Sequence, residues 1–262
     1  MKRRISLHPK LAAVLELLTG LVFVFLFRLI WSPWVLVAWF ILRTTLWIIF
    51  VYVLAYYPPQ FLRTYHFLSL LTFGFGMSIF LLFLYWPPAW YSMAAVLAVA
   101  PAVSFWLVPS GETQLSFVTK PFRRWRFLMT TMGVAGIWSG VQALFVFQIV
   151  PALSWWYTLG AALLTTAISL WWWQEYGVVS GARRRMAALV LFVCVVEAGL
   201  VALFSSSGNM AAGLALAWFW YVVWLMFRFY LSEEGIMLKK QLPFIVGNVI
   251  LFVLYLLFIR WR

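Results

Sequence analysis

The sequence predicts an all-α fold, a polytopic bundle of membrane-spanning helices, and three observations carry that prediction. Of 262 residues, 66% are hydrophobic and 10% charged, against about 45–50% apolar and about 25% charged in soluble domains. The apolar residues gather into runs of about 20, the length that crosses a hydrocarbon core of about 30 Å. Prolines punctuate the runs: Pro33, Pro58–Pro59, Pro87–Pro88, Pro151 and Pro243 fall where a helix starts or stops. No polar stretch approaches the roughly 50 residues that a folded soluble domain needs. Residues 1–262 therefore read as a single integral membrane domain.

Nine spans follow in order. The first, 11–31, comes after the basic MKRRISLHPK, and FRLIWSPW offers no small-residue cleavage site, so it is expected to remain as an uncleaved helix. The second, 33–57, opens on Pro33 and stops before Pro58–Pro59. The third, 61–86, carries Gly74, Gly76 and Ser78 in TFGFGMS, a small-residue face suited to close helix packing. The fourth, 90–108, follows Pro87–Pro88. AYYPPQF and LYWPPAW, at the two ends of the third helix, read as recurring turn chemistry with interfacial aromatics.

The longest loop, GETQLSFVTKPFRRWRF at 111–127, mixes aromatics with cations and precedes the fifth span, 127–149. That span contains MGVAGIWSGV, with Gly136 and Gly140 in the GxxxG spacing. The sixth, 151–175, starts at Pro151 and ends in WWWQE. The seventh, 186–206, follows Arg183, Arg184 and Arg185. The eighth is 209–232. The ninth, 242–259, has a competitor, a re-entrant or interfacial segment, because Arg260 and Arg262 oppose its orientation.

Orientation comes from lysine and arginine. Lys2, Arg3, Arg4 and Lys10, then Arg63, then Lys120, Arg123, Arg124 and Arg126, then Arg183 to Arg185, then Arg228, Lys239 and Lys240 occupy alternate ends of the spans. The intervening turns carry none. This positive-inside asymmetry places the N-terminus in the cytoplasm. It also accounts for the formal charge of +13 without nucleic acid, because the cations form short clusters instead of one stripe. Lys120, Arg123, Arg124, Arg126, Arg183, Arg184 and Arg185 are the expected contacts for anionic headgroups or a partner at the cytoplasmic face.

Ionisable groups inside the spans are the candidate sites. Arg43, with Trp39 and Trp47 one turn to either side, lies about 15 Å from the start of its helix, near the midplane. Glu197 lies at nearly the same depth. Each alone costs about 2.5–3.5 kcal/mol on insertion scales, so a mutual Arg43–Glu197 pair is the economical expectation. Glu16, about 9 Å into the first helix from Lys10, is expected to reach Arg63 or Arg228 as a secondary ionisable site.

Several chemistries lack residues. All six acidic residues are glutamates, and the only histidines are His8 and His66, which argues against aspartyl catalysis, a bis-histidine haem and a histidine-rich zinc site. There is no Walker loop, no HExxH and no lysine inside a span to form a Schiff base. Cys194 is alone, so no internal disulfide forms. No cofactor or metal is expected. The reading is a noncatalytic integral subunit or scaffold of a larger membrane assembly, in a bacterial-type inner membrane with other membrane subunits as partners. The alternative is a small transporter or flippase for an anionic or lipid-linked substrate, using Arg43 and Glu197. A third reading is a headgroup-modifying enzyme that uses Glu112 and the cluster at 120–126.

Overall fold

The computed structural model describes residues 8–30, 32–54, 60–109, 116–149, 154–177, 181–204, 208–232 and 238–258. Among these residues the fold is helical throughout, without a strand. The helices are α1 (Pro9–Leu29), α2 (Pro33–Ile48), α3 (Gln60–Leu82), α4 (Pro87–Trp106), α5 (Ser116–Val146), α6 (Ser154–Glu175), α7 (Gly181–Leu203), α8 (Asn209–Leu231) and α9 (Leu238–Phe258). α2 runs on into a π-helical segment, Ile49–Leu54.

Seven of these helices are long and apolar enough to cross a membrane, and the chain is an integral multi-pass membrane protein. α6 and α9 stand outside the seven. In α6, tryptophans at 155, 156 and 171 to 173, with Thr165, Thr166 and Ser169 between them, lower the apolarity of an otherwise long helix. In α9 the apolar stretch is short, Gln241–Leu257.

Pro33 and Pro87 act as read from the sequence, Pro243 lies inside α9 instead of at its start, and Pro58, Pro59 and Pro151 lie outside the described residues. Pro9, Pro33 and Pro87 stand at the first helical positions of α1, α2 and α4, where a missing N–H leaves no internal bond unmade. The largest departures from the hydropathy reading are at the starts of α5 and α7. α5 starts at Ser116, so the second half of the expected 111–127 loop is helical. α7 starts at Gly181, so Arg183 to Arg185 lie on a helix instead of in a loop.

The chain divides into two compact units, Met1–Gly133 and Val134–Arg262, with the boundary inside α5. In the first unit α1 packs along α4, and α2 and α3 pack beside them. α1 approaches α4 closely at Gly20, where an added Cβ would lie 2.8 Å from the Cα and Cβ of Ala98. A Cβ on Gly76 would run into the backbone of Gly133. The small residues of α3 and α5 thus meet each other within this unit.

In the second unit α7 packs on α6 and α8, and α9 lies on α8. Trp220 Nε1 donates to Ser169 Oγ at 2.8 Å, joining α8 to α6. Gly213 of α8 sits against the backbone of Ser139, and the Tyr255 hydroxyl donates to Ala211 O at 3.0 Å.

Candidate functional site

On α1 the buried positions Ala12, Ala13, Glu16, Phe23 and Phe27 recur at helical spacing and form one stripe. Glu16 belongs to that stripe and is 0% exposed. On α2 the buried positions are Leu36, Trp39, Arg43 and Trp47, again three and four residues apart, and Arg43 is 1% exposed. The two stripes bring a carboxylate and a guanidinium together inside the first unit.

Arg43 Nε donates to Glu16 Oε1 at 2.5 Å, and Arg43 Nη2 forms an ion pair with the same oxygen. Trp47 Nε1 donates to it as well, at 2.9 Å. The guanidinium lies 4.6 Å from the Trp39 ring centroid and 5.4 Å from that of Trp47, so aromatic faces replace the water that a buried cation would lose. Glu16 Oε2 has no hydrogen-bond partner among the described residues.

The other end of the guanidinium reaches α4. Arg43 Nη1 donates to Leu97 O at 2.8 Å and Nη2 to Ala98 O at 3.4 Å. The chain itself creates this acceptor. Pro101 sits inside α4, and the proline four residues on has no N–H to give to Leu97 O. In hydrocarbon an orphan carbonyl costs several kcal/mol, and Arg43 satisfies it. Glu16, Arg43 and the proline-freed carbonyl therefore form a clamp across α1, α2 and α4.

The partner of Arg43 is thus Glu16 and not the expected Glu197. Glu197 is exposed on α7, two residues from the buried Val195 and two from the buried Gly199. At about 100° per residue that places it on the far side of the helix. Nor does Glu16 use Arg228, the expected secondary partner. Arg228 lies over the Tyr176 ring at 3.7 Å and beside Trp224.

Among the expected headgroup contacts, Arg124, Arg183 and Arg185 are exposed, and Lys120, Arg123 and Arg184 are half-buried. Arg126 is a correction. It is 0% exposed, with its guanidinium 4.6 Å from the Phe122 ring, because α5 is already helical there and turns this side chain inward. Glu112 lies outside the described residues.

The structure also assembles a serine and a histidine that sequence spacing did not connect. His66 of α3 is buried, with Nε2 2.9 Å from Ser104 Oγ of α4. Ser104 spends its single hydrogen on Pro101 O at 2.6 Å, so His66 donates in this pair. That is the reverse of what a nucleophilic serine needs from its base. The rings of Phe105 and Phe122 pack on the imidazole, at 4.8 and 5.1 Å. Among the described residues no group of histidine, cysteine or acidic side chains is placed to hold a metal.

Beside the clamp, a cleft of about 200 Å³ is lined by Leu18, Val22, Phe23, Leu42, Leu46 and Arg43, among others. Its walls are almost entirely hydrocarbon. Comparison with protein-family models, with curated proteins and with solved structures finds no match to this chain.

Proposed function

We propose that the protein is a noncatalytic integral subunit or scaffold of a larger membrane assembly. The observation that carries this reading is the clamp: the guanidinium of Arg43 is held by Glu16, Leu97 O and Ala98 O. A charge held by three helices of its own chain serves architecture, and the Ser104–His66 geometry points the same way. In this reading the chain makes nine crossings of a bacterial-type inner membrane with the N-terminus in the cytoplasm. Lys120, Arg123, Arg124 and Arg183 to Arg185 meet anionic headgroups or a partner. Extraction in a mild detergent followed by native mass spectrometry tests the proposal. Stoichiometric additional chains are expected. A lone chain that catalyses a reaction or moves a substrate would overturn it.

The cleft favours one second reading, transport of an anionic or lipid-linked substrate, because Arg43 lines it. Glu16 already neutralises that arginine, so an anion would have to displace the carboxylate. Liposomes carrying the purified protein and a fluorescent phosphatidylglycerol decide the matter: leaflet exchange above the protein-free rate, abolished by Arg43→Lys, would establish transport.

A further inference from the structure

Met186, Val190, Val193, Val201 and Phe204 are exposed, and the exposed Glu197 stands among them. Their spacing of three and four residues puts all six on one face of α7. The exposures of 72% at Val201 and 79% at Phe204 show how fully that face is uncovered. The opposite stripe, Ala187, Leu191, Val195, Gly199 and Leu203, is buried. Glu197 lies about 9 Å from the C-terminal end of a helix about 35 Å long, which puts its carboxylate within the depth of the hydrocarbon. No hydrogen bond or ion pair reaches it from the described residues.

We propose that this face of α7 docks a transmembrane helix of another protein, one that carries a lysine or arginine at the depth of Glu197. The inference rests on the subunit reading above and names the partner's chemistry. Charge complementarity selects the occupant. Acyl chains match the valines and Phe204 but leave the carboxylate unanswered, and lipid headgroup amines lie at the wrong depth. A second copy using the same face in a two-fold pair would set Glu197 against Glu197, a repulsion in a medium that screens nothing. A cationic helix satisfies both the apolar seam and the charge, and the three-and-four spacing is the one along which membrane helices pair.

The test is photocrosslinking in the native membrane, with the full chain carrying p-benzoylphenylalanine at Val201 and, as a separate probe, at Ile41 on α2. The expected result at Val201 is a crosslink to a membrane-spanning segment with a lysine or arginine within one turn of the crosslinked depth. It should fall at least tenfold in Glu197→Gln and return when the partner's cation becomes glutamate and Glu197 becomes lysine. Equal crosslinking in Glu197→Gln, a captured segment without a cation, a second copy of this chain, or lipid adducts alone would each overturn the proposal. A protein captured at Ile41 but not at Val201 would overturn it while leaving the subunit reading intact. Capture at neither position, together with a lone chain in native mass spectrometry, would remove both.

Discussion

Arg43 and Glu16 meet through a single carboxylate oxygen, to which Trp47 also donates, while the other oxygen of Glu16 has no partner among the described residues. The contact is one-sided for Glu16 and shared for Arg43, whose remaining donors go to α4. Removing the cation is therefore expected to be worse than removing both charges. Arg43→Met alone should lower stability by about 3–5 kcal/mol, because it strands a buried carboxylate. The double variant Glu16→Leu with Arg43→Met should recover most of that loss. Equilibrium unfolding in mixed micelles measures both, and a double variant less stable than Arg43→Met would contradict the pairing.

Pro101 and Arg43 should be energetically coupled, since one creates the acceptor that the other satisfies. In Pro101→Ala the residue at 101 regains an N–H for Leu97 O, so Arg43→Lys should do less harm there than in the natural sequence. A coupling of about 0.5–3 kcal/mol is expected for groups in direct contact. A double-mutant cycle that closes to zero would mean that Leu97 O does not depend on the arginine.

The close approach of α3 and α5 predicts intolerance of a single methyl group. Gly76→Ala drives a Cβ into the Gly133 backbone, and should destabilise by about 1–3 kcal/mol, the usual range for overpacking. Gly160→Ala is the control. It has open space around it on α6, so a neutral or slightly favourable effect is expected from the better helix former. Thermal unfolding followed by intrinsic fluorescence separates the two.

In the second unit, Ser169→Ala removes the acceptor of the Trp220 indole. A loss of about 0.6–2 kcal/mol is expected, the range for hydrogen bonds between membrane helices. Ser169→Thr keeps a hydroxyl and should recover part of the loss, and the same unfolding assay reads the difference.

The helical architecture was legible because the signals were local: apolar runs of spanning length and prolines at N-terminal positions. The burial of Arg43 was legible too, from the tryptophans one turn to either side. Its partner is not legible from depth alone, which matches Arg43 to Glu197 although Glu16 holds it. Azimuth separates the two glutamates. Glu16 is in register with Ala12, Phe23 and Phe27, whereas Glu197 falls on the face opposite Val195 and Gly199. Pro101 also carried a readable signal, since a proline deep in a helix frees the carbonyl four residues before it. The Ser104–His66 contact left no trace in spacing, because it joins two helices whose relative rotation only packing determines.

The order in which the clamp's members appear along the chain bears on biogenesis. Glu16 and Arg43 belong to consecutive helices, so the α1–α2 hairpin leaves the ribosome already carrying a carboxylate and a guanidinium that cancel. Synthesis proceeds from the N-terminus, and α4 arrives two helices later with an open carbonyl for a hairpin that is already neutral. Had Arg43 depended on Glu197, it would have waited in the bilayer as a bare cation until the seventh helix was made. By pairing early, the chain never presents the insertion machinery with more than one unmatched charge at this site.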